Sequence, residues 1–214
     1  MLYQVHWFLS LLSSVLRLGA GRGGVKPGIS QPIPVLYEFE GCPWCRIARE
    51  AISEAGLSVL VRPCPKGGMR FRPKVKEMGG KAQFPYWIAD GEATGMYESG
   101  AIAKLMRGTY NAPRPLVHWL GPLNGIISSY AVLLRFGYGR NAKPAKQQED
   151  PLEFYGSEVS PAARLVREKL CALEIEYIWR TGNKPTVRLY DPNTSAEQTG
   201  ARAALKYLNE HYTA

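Results

Sequence analysis

Two cysteines separated by two residues, Cys42 and Cys45, are the strongest chemical signal in the sequence. Such a pair can bind zinc, undergo reversible oxidation or serve a purely structural purpose. Zinc sites need four ligands, and the sequence has no second Cys-x-x-Cys pair, while His6, His118 and His211 stand alone. Because a strand-like segment precedes the pair and a helix-like segment follows it, the context favours thiol–disulfide chemistry.

The spacing predicts different roles for the two thiols. Cys42 would cap the helix and Pro43 would be its first residue, where a missing N–H has no cost. The unpaired amide groups and the positive end of the helix dipole would then face the Cys42 sulfur and lower its pKa. Cys45 follows one turn later, close enough to displace a mixed disulfide. The sequence therefore predicts Cys42 as the nucleophile and Cys45 as the resolving thiol.

The segments around this pair predict an α/β domain over residues 34–110. Its predicted strands and helices, from apolar periodicity and from glycine and proline breaks, are strands at 35–39, 57–61, 84–88 and 95–97 and helices at 46–55, 73–78 and 98–106. A turn is expected at Asp90-Gly91 between the last two strands. The resulting order, β-α-β-α-β-β-α, is that of the thioredoxin fold.

Residues 151–214 predict a degenerate second copy of this domain. Residues 160–168 align with residues 42–50 without a gap, keeping the proline, both arginines and the glutamate. Ser160 and Ala163 replace the two cysteines, so this copy has lost the chemistry. Its expected strands and closing helix lie at 152–155, 174–179, 185–190 and 201–208. The predicted fold class is thus two tandem thioredoxin-like domains joined by a helical linker.

The linker, residues 111–150, contains an apolar stretch at 116–136 that predicts one or two helices interrupted at Gly121-Pro122, followed by a polar segment. Residues 1–33 predict an N-terminal helix and a glycine-rich loop. The apolar run at 5–18 is shorter than the about 20 residues of a membrane span. Its spacing favours an amphipathic helix packed on the body of the protein over a targeting or membrane-surface segment.

Composition narrows the class of protein. The chain has 214 residues, 45% hydrophobic and 21% charged, which excludes a disordered or fibrous protein and fits one large or two small domains. The net charge of +9 is spread over the chain without a nucleic-acid motif, and it fits an anionic small ligand or an acidic partner surface. Four cysteines fit a reducing compartment, the cytoplasm or a plastid, rather than secretion.

Residues 34–107 resemble the N-terminal domains of glutathione S-transferases, in particular a tandem group in which two such domains follow each other, and residues 151–210 resemble them weakly. The residues that carry the resemblance are 37–45, Phe84-Pro85-Tyr86 and Glu98-Ser99. The Cys-Pro-Trp-Cys motif is similar to that of dithiol glutaredoxins. The resemblance implies a thioredoxin-like fold and glutathione as cofactor.

The resemblance also implies individual roles. Pro85 would be a cis-proline that presents the backbone of Phe84 to the cysteinyl part of glutathione. Glu98 would bind the γ-glutamyl ammonium, and Ser99 with helix amides the carboxylate. Trp44 would stack on the ligand or cover the disulfide. The alternatives are a trans proline and a simple helix cap. Candidates for the glycyl carboxylate are Arg70, Arg72, Lys74 and Lys81.

In the second half, Pro185 is a candidate match to the cis-proline, but Glu197-Gln198 is out of register with Glu98-Ser99 by about three residues. A structural or partner-binding role is therefore expected there. Cys64 could be an auxiliary thiol, and Cys171 is expected to be a buried small apolar residue.

The expected function is a glutathione-dependent oxidoreductase that acts on protein or small-molecule disulfides. Two alternatives stay open. One is a glutathione transferase or isomerase similar to membrane-associated prostaglandin E synthase type 2. The other is a non-enzymatic thioredoxin-fold adaptor.

Overall fold

Eight strands form one mixed sheet in the described residues of the computed structural model, which are 2–24, 33–89, 92, 94–182 and 186–214. The strands are β1 (Val35–Glu38), β2 (Ser58–Pro63), β3 (Tyr86–Ile88), β4 (Met96–Tyr97), β5 (Leu152–Tyr155), β6 (Tyr177–Arg180), β7 (Arg188–Asp191) and β8 (Ala196–Thr199). Their order in the sheet is β4-β3-β1-β2-β6-β5-β7-β8.

The helices cover this sheet in layers. They are α1 (Leu2–Leu16), α2 (Pro43–Ala55), α3 (Arg72–Gly79), α4 (Ser99–Tyr110), α5 (Pro122–Leu133), α6 (Pro161–Ala172), α7 (Ala201–Tyr212) and a 3₁₀ helix at Leu116–Trp119. None of the helices in the described ranges combines the length and apolar composition that crossing a bilayer requires.

The predicted order β-α-β-α-β-β-α is confirmed for the first half. β1 runs parallel to β2 and antiparallel to β3, which pairs with β4. Because side chains alternate across a strand, Leu36 packs with Ile52 of α2 on one face of the sheet, and Tyr37 packs with Val75 of α3 on the other. The loop after β1 delivers Cys42 to the start of α2, at the edge of this second cluster.

The second half contains β5, α6, β6, β7, β8 and α7, with the same parallel and antiparallel pairing as β1 to β4. The predicted strand at 185–190 is found at Arg188–Asp191, and β8 was not predicted. Pro185 lies outside the described residues, as does the Asp90-Gly91 turn predicted in the first half.

The two halves meet where β2 pairs antiparallel with β6, and Leu60 lies opposite Ile178 at the centre of this pairing. Along the sequence, Ile178 follows Leu60 at the same distance at which Ser160 follows Cys42. Below, two residues are called equivalent when they are separated by this same distance along the sequence. Equivalent residues facing each other place a local two-fold axis between β2 and β6.

Helix α1 forms as predicted but presents the opposite face to the protein. Ser10, Ser13 and Ser14 are buried, whereas Phe8 and Val15 are more than half exposed. The prediction of a buried apolar face was therefore wrong. The physical reason is that buried guanidinium groups beneath the helix need oxygen acceptors, which the serines and the backbone of α1 supply.

The predicted interruption at Gly121-Pro122 is observed, because the 3₁₀ helix ends before it and α5 begins at Pro122. Helix α5 packs on α2, and α1 packs on α6. Helix α1, which precedes the first half in the sequence, thus lies on the second half, and α5, which precedes the second half, lies on the first. We call α1 and α5 the outer helices. Their contacts are equivalent: the Ser10 hydroxyl donates to the Pro161 carbonyl at 3.2 Å, and the Ser128 hydroxyl donates to the Pro43 carbonyl at 2.8 Å.

Candidate active site

Cys42 occupies the N-cap of α2, as the spacing predicts. Its backbone is extended, and its sulfur accepts a hydrogen bond from the Cys45 amide at 3.3 Å. Pro43 is the first residue of the helix. Cys42 is 5% exposed and Cys45 is fully buried, and both are free thiols. Only Cys42 therefore has a surface from which it can react.

The surroundings make the two thiols differ in acidity. The pKa of Cys42 is lowered to about 7, chiefly by a hydrogen bond from the Cys45 thiol and also by the amides of Cys45 and Trp44 and the charge of Arg49, against the opposing effect of burial. The pKa of Cys45 is raised well above its ordinary value by burial, by its bond to Cys42 and by nearby negative charge. Near pH 7 a substantial fraction of Cys42 is thus a thiolate, whereas Cys45 keeps its proton.

The loop before β3 lies beside the Cys42 sulfur. The Phe84–Pro85 peptide bond is cis, as predicted. The Phe84 carbonyl lies 3.9 Å from the Cys42 sulfur, and the Phe84 ring packs edge-on against Phe39. This loop therefore presents backbone polar groups next to the candidate nucleophile.

Glu98 and Ser99 stand at the N-terminus of α4. Glu98 has a positive φ of 73° and, within the described residues, makes no capping bond to the helix. Its carboxylate instead accepts a hydrogen bond from the Gln83 side chain at 2.7 Å. The carboxylate is thus not used as a cap, and it lies beside the free amides of the helix, so a cation and an anion of one ligand could both bind here.

A cavity of about 490 Å³ joins these features. It is lined by all five side chains predicted to bind glutathione: Trp44, Phe84, Pro85, Glu98 and Ser99. The start of α5 supplies a wall that the sequence did not predict, with Gly121, Pro122, Asn124 and Gly125. A Cβ atom on Gly125 would lie 2.7 Å from the Trp44 ring, so a glycine is required at this contact.

One sequence signal could have identified this wall. The segments that follow α1 and α5, residues 17–22 and 135–140, both read Arg-x-Gly-x-Gly-Arg and are equivalent. That match extends the repeat upstream of the cysteine motif and indicates that α1 and α5 have matching positions in the fold.

Comparison with known proteins found one similarity, in the segment that carries most of the cavity lining. Residues 36–114 match the family model described as glutathione S-transferase, N-terminal domain. The match supports a thioredoxin-like domain of this kind in the first half of the chain. No curated protein and no solved structure gave a significant match to the chain.

The basic residues of this segment do not line the cavity. Arg70 bonds to Gln148 and to the backbone of Glu174. The Arg72 guanidinium lies 4.7 Å from the centre of the Phe84 ring and is not among the residues that line the cavity. Lys74 and Lys81 lie over the rings of Phe71 and Tyr97, respectively. None of the four proposed partners for a glycyl carboxylate is therefore in the cavity.

The two remaining cysteines are buried. Burial raises the pKa of Cys64, whose sulfur contacts the Arg62 carbonyl, and this environment does not favour an auxiliary thiol. Cys171 is buried as expected, and its thiol donates to the Gly139 carbonyl at 3.1 Å.

A cluster of buried charges lies between the first half and the second half. Arg49 forms ion pairs with Glu38, Glu40 and Glu158, and Arg167 pairs with Glu40 at 2.6 Å and Glu158 at 2.6 Å. Arg49 is equivalent to Arg167, and Glu40 to Glu158. The cluster therefore has the local two-fold symmetry and links both halves.

Two further ion pairs tie the outer helices to this cluster. Arg17, after α1, binds Glu50 with two hydrogen bonds, and Arg135, after α5, binds Glu168 with two. Arg17 and Arg135 are equivalent, as are Glu50 and Glu168. The sequence alignment included Glu50 and Glu168 but not Arg17 and Arg135, and it did not predict these contacts.

The second half lacks the groups that form the first cavity. Ser160 caps α6 and accepts from the Ala163 amide at 3.2 Å, as Cys42 does on α2. The strand registers place Val187 at the position of Pro85, and Gly200 and Ala201 at those of Glu98 and Ser99.

In the second half, larger side chains stand where the first cavity is lined by glycines. Tyr3 of α1 lies at the position equivalent to Gly121, and the Arg202 guanidinium lies 4.6 Å from the centre of its ring. Glu197 and Gln198 are part of β8. They are the residues that the sequence placed out of register with Glu98-Ser99.

Proposed function

We propose that the protein is a glutathione-dependent thiol/disulfide oxidoreductase with Cys42 as nucleophile and Cys45 as resolving thiol. The observation that carries this proposal is the contrast between the two thiols. One is partly ionised at neutral pH and lies beside Phe84, which lines the cavity, whereas the other is protonated and buried one turn away.

The reaction follows from this contrast. The Cys42 thiolate attacks one sulfur of a disulfide, forming a mixed disulfide and expelling the other sulfur as a thiolate. Cys45 then loses its proton and attacks the Cys42 sulfur, which releases the second product thiol and leaves a Cys42–Cys45 disulfide. Two molecules of glutathione reduce this disulfide in turn and leave as oxidised glutathione, so two electrons are transferred in each cycle.

The cavity residues fit glutathione as the reductant. The Glu98 carboxylate is available for the γ-glutamyl ammonium, and Ser99 with the first amides of α4 for its carboxylate. The Phe84 backbone beside Cys42 would pair with the cysteinyl part. These roles direct the glutathione sulfur to the Cys42 sulfur.

We further propose that the chain is a tandem pair of thioredoxin-like units in which only the first binds glutathione. The equivalent ion pairs, serine contacts and strand pairings support this duplication. On this view α5 is the counterpart of α1 rather than a linker, and each unit lends its first helix to the other.

The test is reduction of hydroxyethyl disulfide by glutathione. We expect Cys42→Ser to abolish the activity, because the pKa is lowered for Cys42 and raised for the other three described thiols. Cys64→Ser is the matched control and should keep the activity. Full activity of Cys42→Ser would contradict the proposal.

Transfer of glutathione to an electrophile is the second candidate, since Trp44, Ile47 and Pro122 provide an apolar wall for such a substrate. A wild-type protein that conjugates a chlorodinitrobenzene but reduces no disulfide would favour the transferase. A protein with neither activity and no glutathione binding would favour the adaptor.

A further inference from the structure

The two outer helices bury small or polar residues and expose large apolar ones. On α1, Ser10, Ser13 and Ser14 are buried, and on α5, Gly125, Ser128 and Ala131 are buried. A helix on the surface of a water-soluble domain normally has the opposite arrangement, with the apolar side toward the core.

This orientation is fixed by specific contacts. The Arg46 guanidinium donates to the Ser13 carbonyl at 3.1 Å, and the Arg164 guanidinium donates to the Ser10 carbonyl and hydroxyl at 2.8 and 2.9 Å. The Arg17 guanidinium likewise donates to the carbonyl and the side chain of Asn124 in α5, at 3.0 and 2.7 Å. Turning either helix over would remove acceptors from buried arginines, which is strongly unfavourable. The exposure of the apolar sides therefore follows from the way the helices are held.

The apolar sides, together with the 3₁₀ helix, form one surface, because α1 and α5 contact each other and the 3₁₀ helix contacts α5. We call it the outer face. Its exposed large apolar side chains are Leu2, Val5, Phe8, Val15, Leu16, Leu116, Trp119, Leu123, Ile126, Tyr130, Leu133 and Phe136. Neither α1 nor α5 contains an Asp, Glu, Lys or Arg residue. Single exposed apolar side chains are ordinary, but a contiguous surface of this extent indicates an interaction site.

In the two chain segments that carry the outer face, the charges have one sign. Residues 2–24 and 111–146 contain no acidic residue. The exposed cations of these two segments are Arg22, Arg114, Arg140, Lys143 and Lys146.

At least two of these cations border the face directly. The Arg114 guanidinium lies 4.0 Å from the centre of the Trp119 ring, and Lys143 shares a surface depression with Leu2 and Phe136. An apolar and aromatic surface with a basic border is typical of proteins that lie in the interface of anionic membranes.

We propose that the outer face binds the surface of an anionic lipid bilayer, with α1 and α5 lying parallel to the membrane plane. Two copies of this chain meeting through the outer face would bring basic borders together, so charge disfavours a second copy as the occupant. A bilayer carrying anionic lipids supplies both an apolar layer and the complementary charge. This proposal is independent of the proposed redox activity.

Vesicle co-sedimentation tests the proposal, with vesicles of phosphatidylcholine alone and of phosphatidylcholine mixed with phosphatidylserine. We expect the wild-type chain to bind the mixed vesicles more tightly, and added salt to weaken this binding. The double variant Phe8→Glu with Leu133→Glu should bind the mixed vesicles more weakly by roughly tenfold or more, since two exposed apolar side chains are replaced by anions.

Met78→Glu is the matched control, because Met78 is exposed on α3, which packs on the opposite face of the sheet. It should bind as the wild type does. Circular dichroism checks that the variants are folded. Brominated lipid quenches the fluorescence of tryptophans that insert into the bilayer, so it tests insertion of Trp119 and Trp7 in the wild-type chain. We expect quenching.

Several results would overturn the proposal. These are no binding of the wild type to the mixed vesicles, equal binding by the double variant, or no quenching. A wild-type dimer in sedimentation equilibrium that becomes monomeric in the double variant, without vesicle binding, would instead identify a second copy as the occupant.

Discussion

The cavity beside Cys42 and the equivalent region beside Ser160 share a backbone plan but not a chemistry. Both begin with a residue that caps a helix and accepts from the amide three residues later. In the first, glycines at 100, 121 and 125 leave the space open. In the second, Tyr3 and Arg202 stand at two of the equivalent positions and contact each other.

This difference indicates that the backbone arrangement shared by the two halves is not sufficient to form a binding cavity. The helix N-terminus, the strand register and the crossing outer helix are present in both halves, and they persist where the cysteines and the Glu-Ser pair are lost. Both halves also contribute residues to the buried charge cluster, which links them.

The largest expected effect tests that shared cluster. Arg49→Met should leave Glu38, Glu40 and Glu158 with fewer buried partners and lower the free energy of unfolding by about 3–5 kcal/mol. Because Arg167 is its equivalent, Arg167→Met should cost about the same. Urea denaturation measures both, and a large loss for only one of them would break the symmetry between the halves.

The next effect concerns the cavity itself. Glu98→Gln removes the carboxylate proposed to bind the γ-glutamyl ammonium, and it should weaken glutathione binding by roughly ten- to a hundredfold, the worth of a hydrogen bond to a charged group. Glu197→Gln, in β8, is the control and should have no effect, because Glu197 pairs with Arg188 on the surface. Calorimetric titration compares them, and equal losses would contradict the assignment of Glu98.

Moving the cysteine to the N-cap of α6 tests whether a helix N-terminus alone gives the low pKa of Cys42. In a Cys42→Ser, Ser160→Cys double variant, the new thiol caps α6 but faces Ala163 rather than a second thiol. Since the bond from Cys45 is the largest cause that lowers the pKa of Cys42 to about 7, the new thiol should have a higher pKa.

The pH dependence of alkylation by iodoacetamide measures this. Wild-type Cys42 should gain reactivity as pH rises through about 7, and the transplanted thiol only at higher pH. Coincident profiles would mean that the helix N-terminus, and not the second thiol, sets the acidity.

The smallest effects test the exchanged helices. Ser128→Ala removes the hydroxyl that donates to the Pro43 carbonyl at the start of α2 and should lower the free energy of unfolding by about 1 kcal/mol. Ser10→Ala should cost more, because the Ser10 hydroxyl donates to the Pro161 carbonyl and also accepts from the buried Arg164 guanidinium. If thermal denaturation showed Ser128→Ala to be neutral, the packing of α5 on α2 would need revision.

The sequence predicted the structural features that depend on residues close together in the chain. Strand alternation, the Pro43 helix start and the Gly121-Pro122 break are encoded by neighbouring residues, and they predicted most of the elements. The five predicted ligand residues also line one cavity, with Cys42 beside Phe84, because their positions follow from that order of elements.

Features that depend on the meeting of distant segments were not predicted. The wall from Gly121 to Gly125 and the ion pairs between Arg49 and Glu158 require the two halves to pair through β2 and β6. The outward apolar side of α1 was wrongly assigned because a single helix does not reveal that Arg46 and Arg164 lie beneath it.

We propose that the first half of the chain binds glutathione and that the second half does not. Calorimetric titration of the wild-type chain with glutathione, repeated with Ser99→Ala and with its equivalent, Ala201→Ser, tests this proposal. We expect one glutathione per chain, weaker binding in Ser99→Ala and unchanged binding in Ala201→Ser. Two bound molecules per chain, or binding that Ser99→Ala leaves intact, would contradict it.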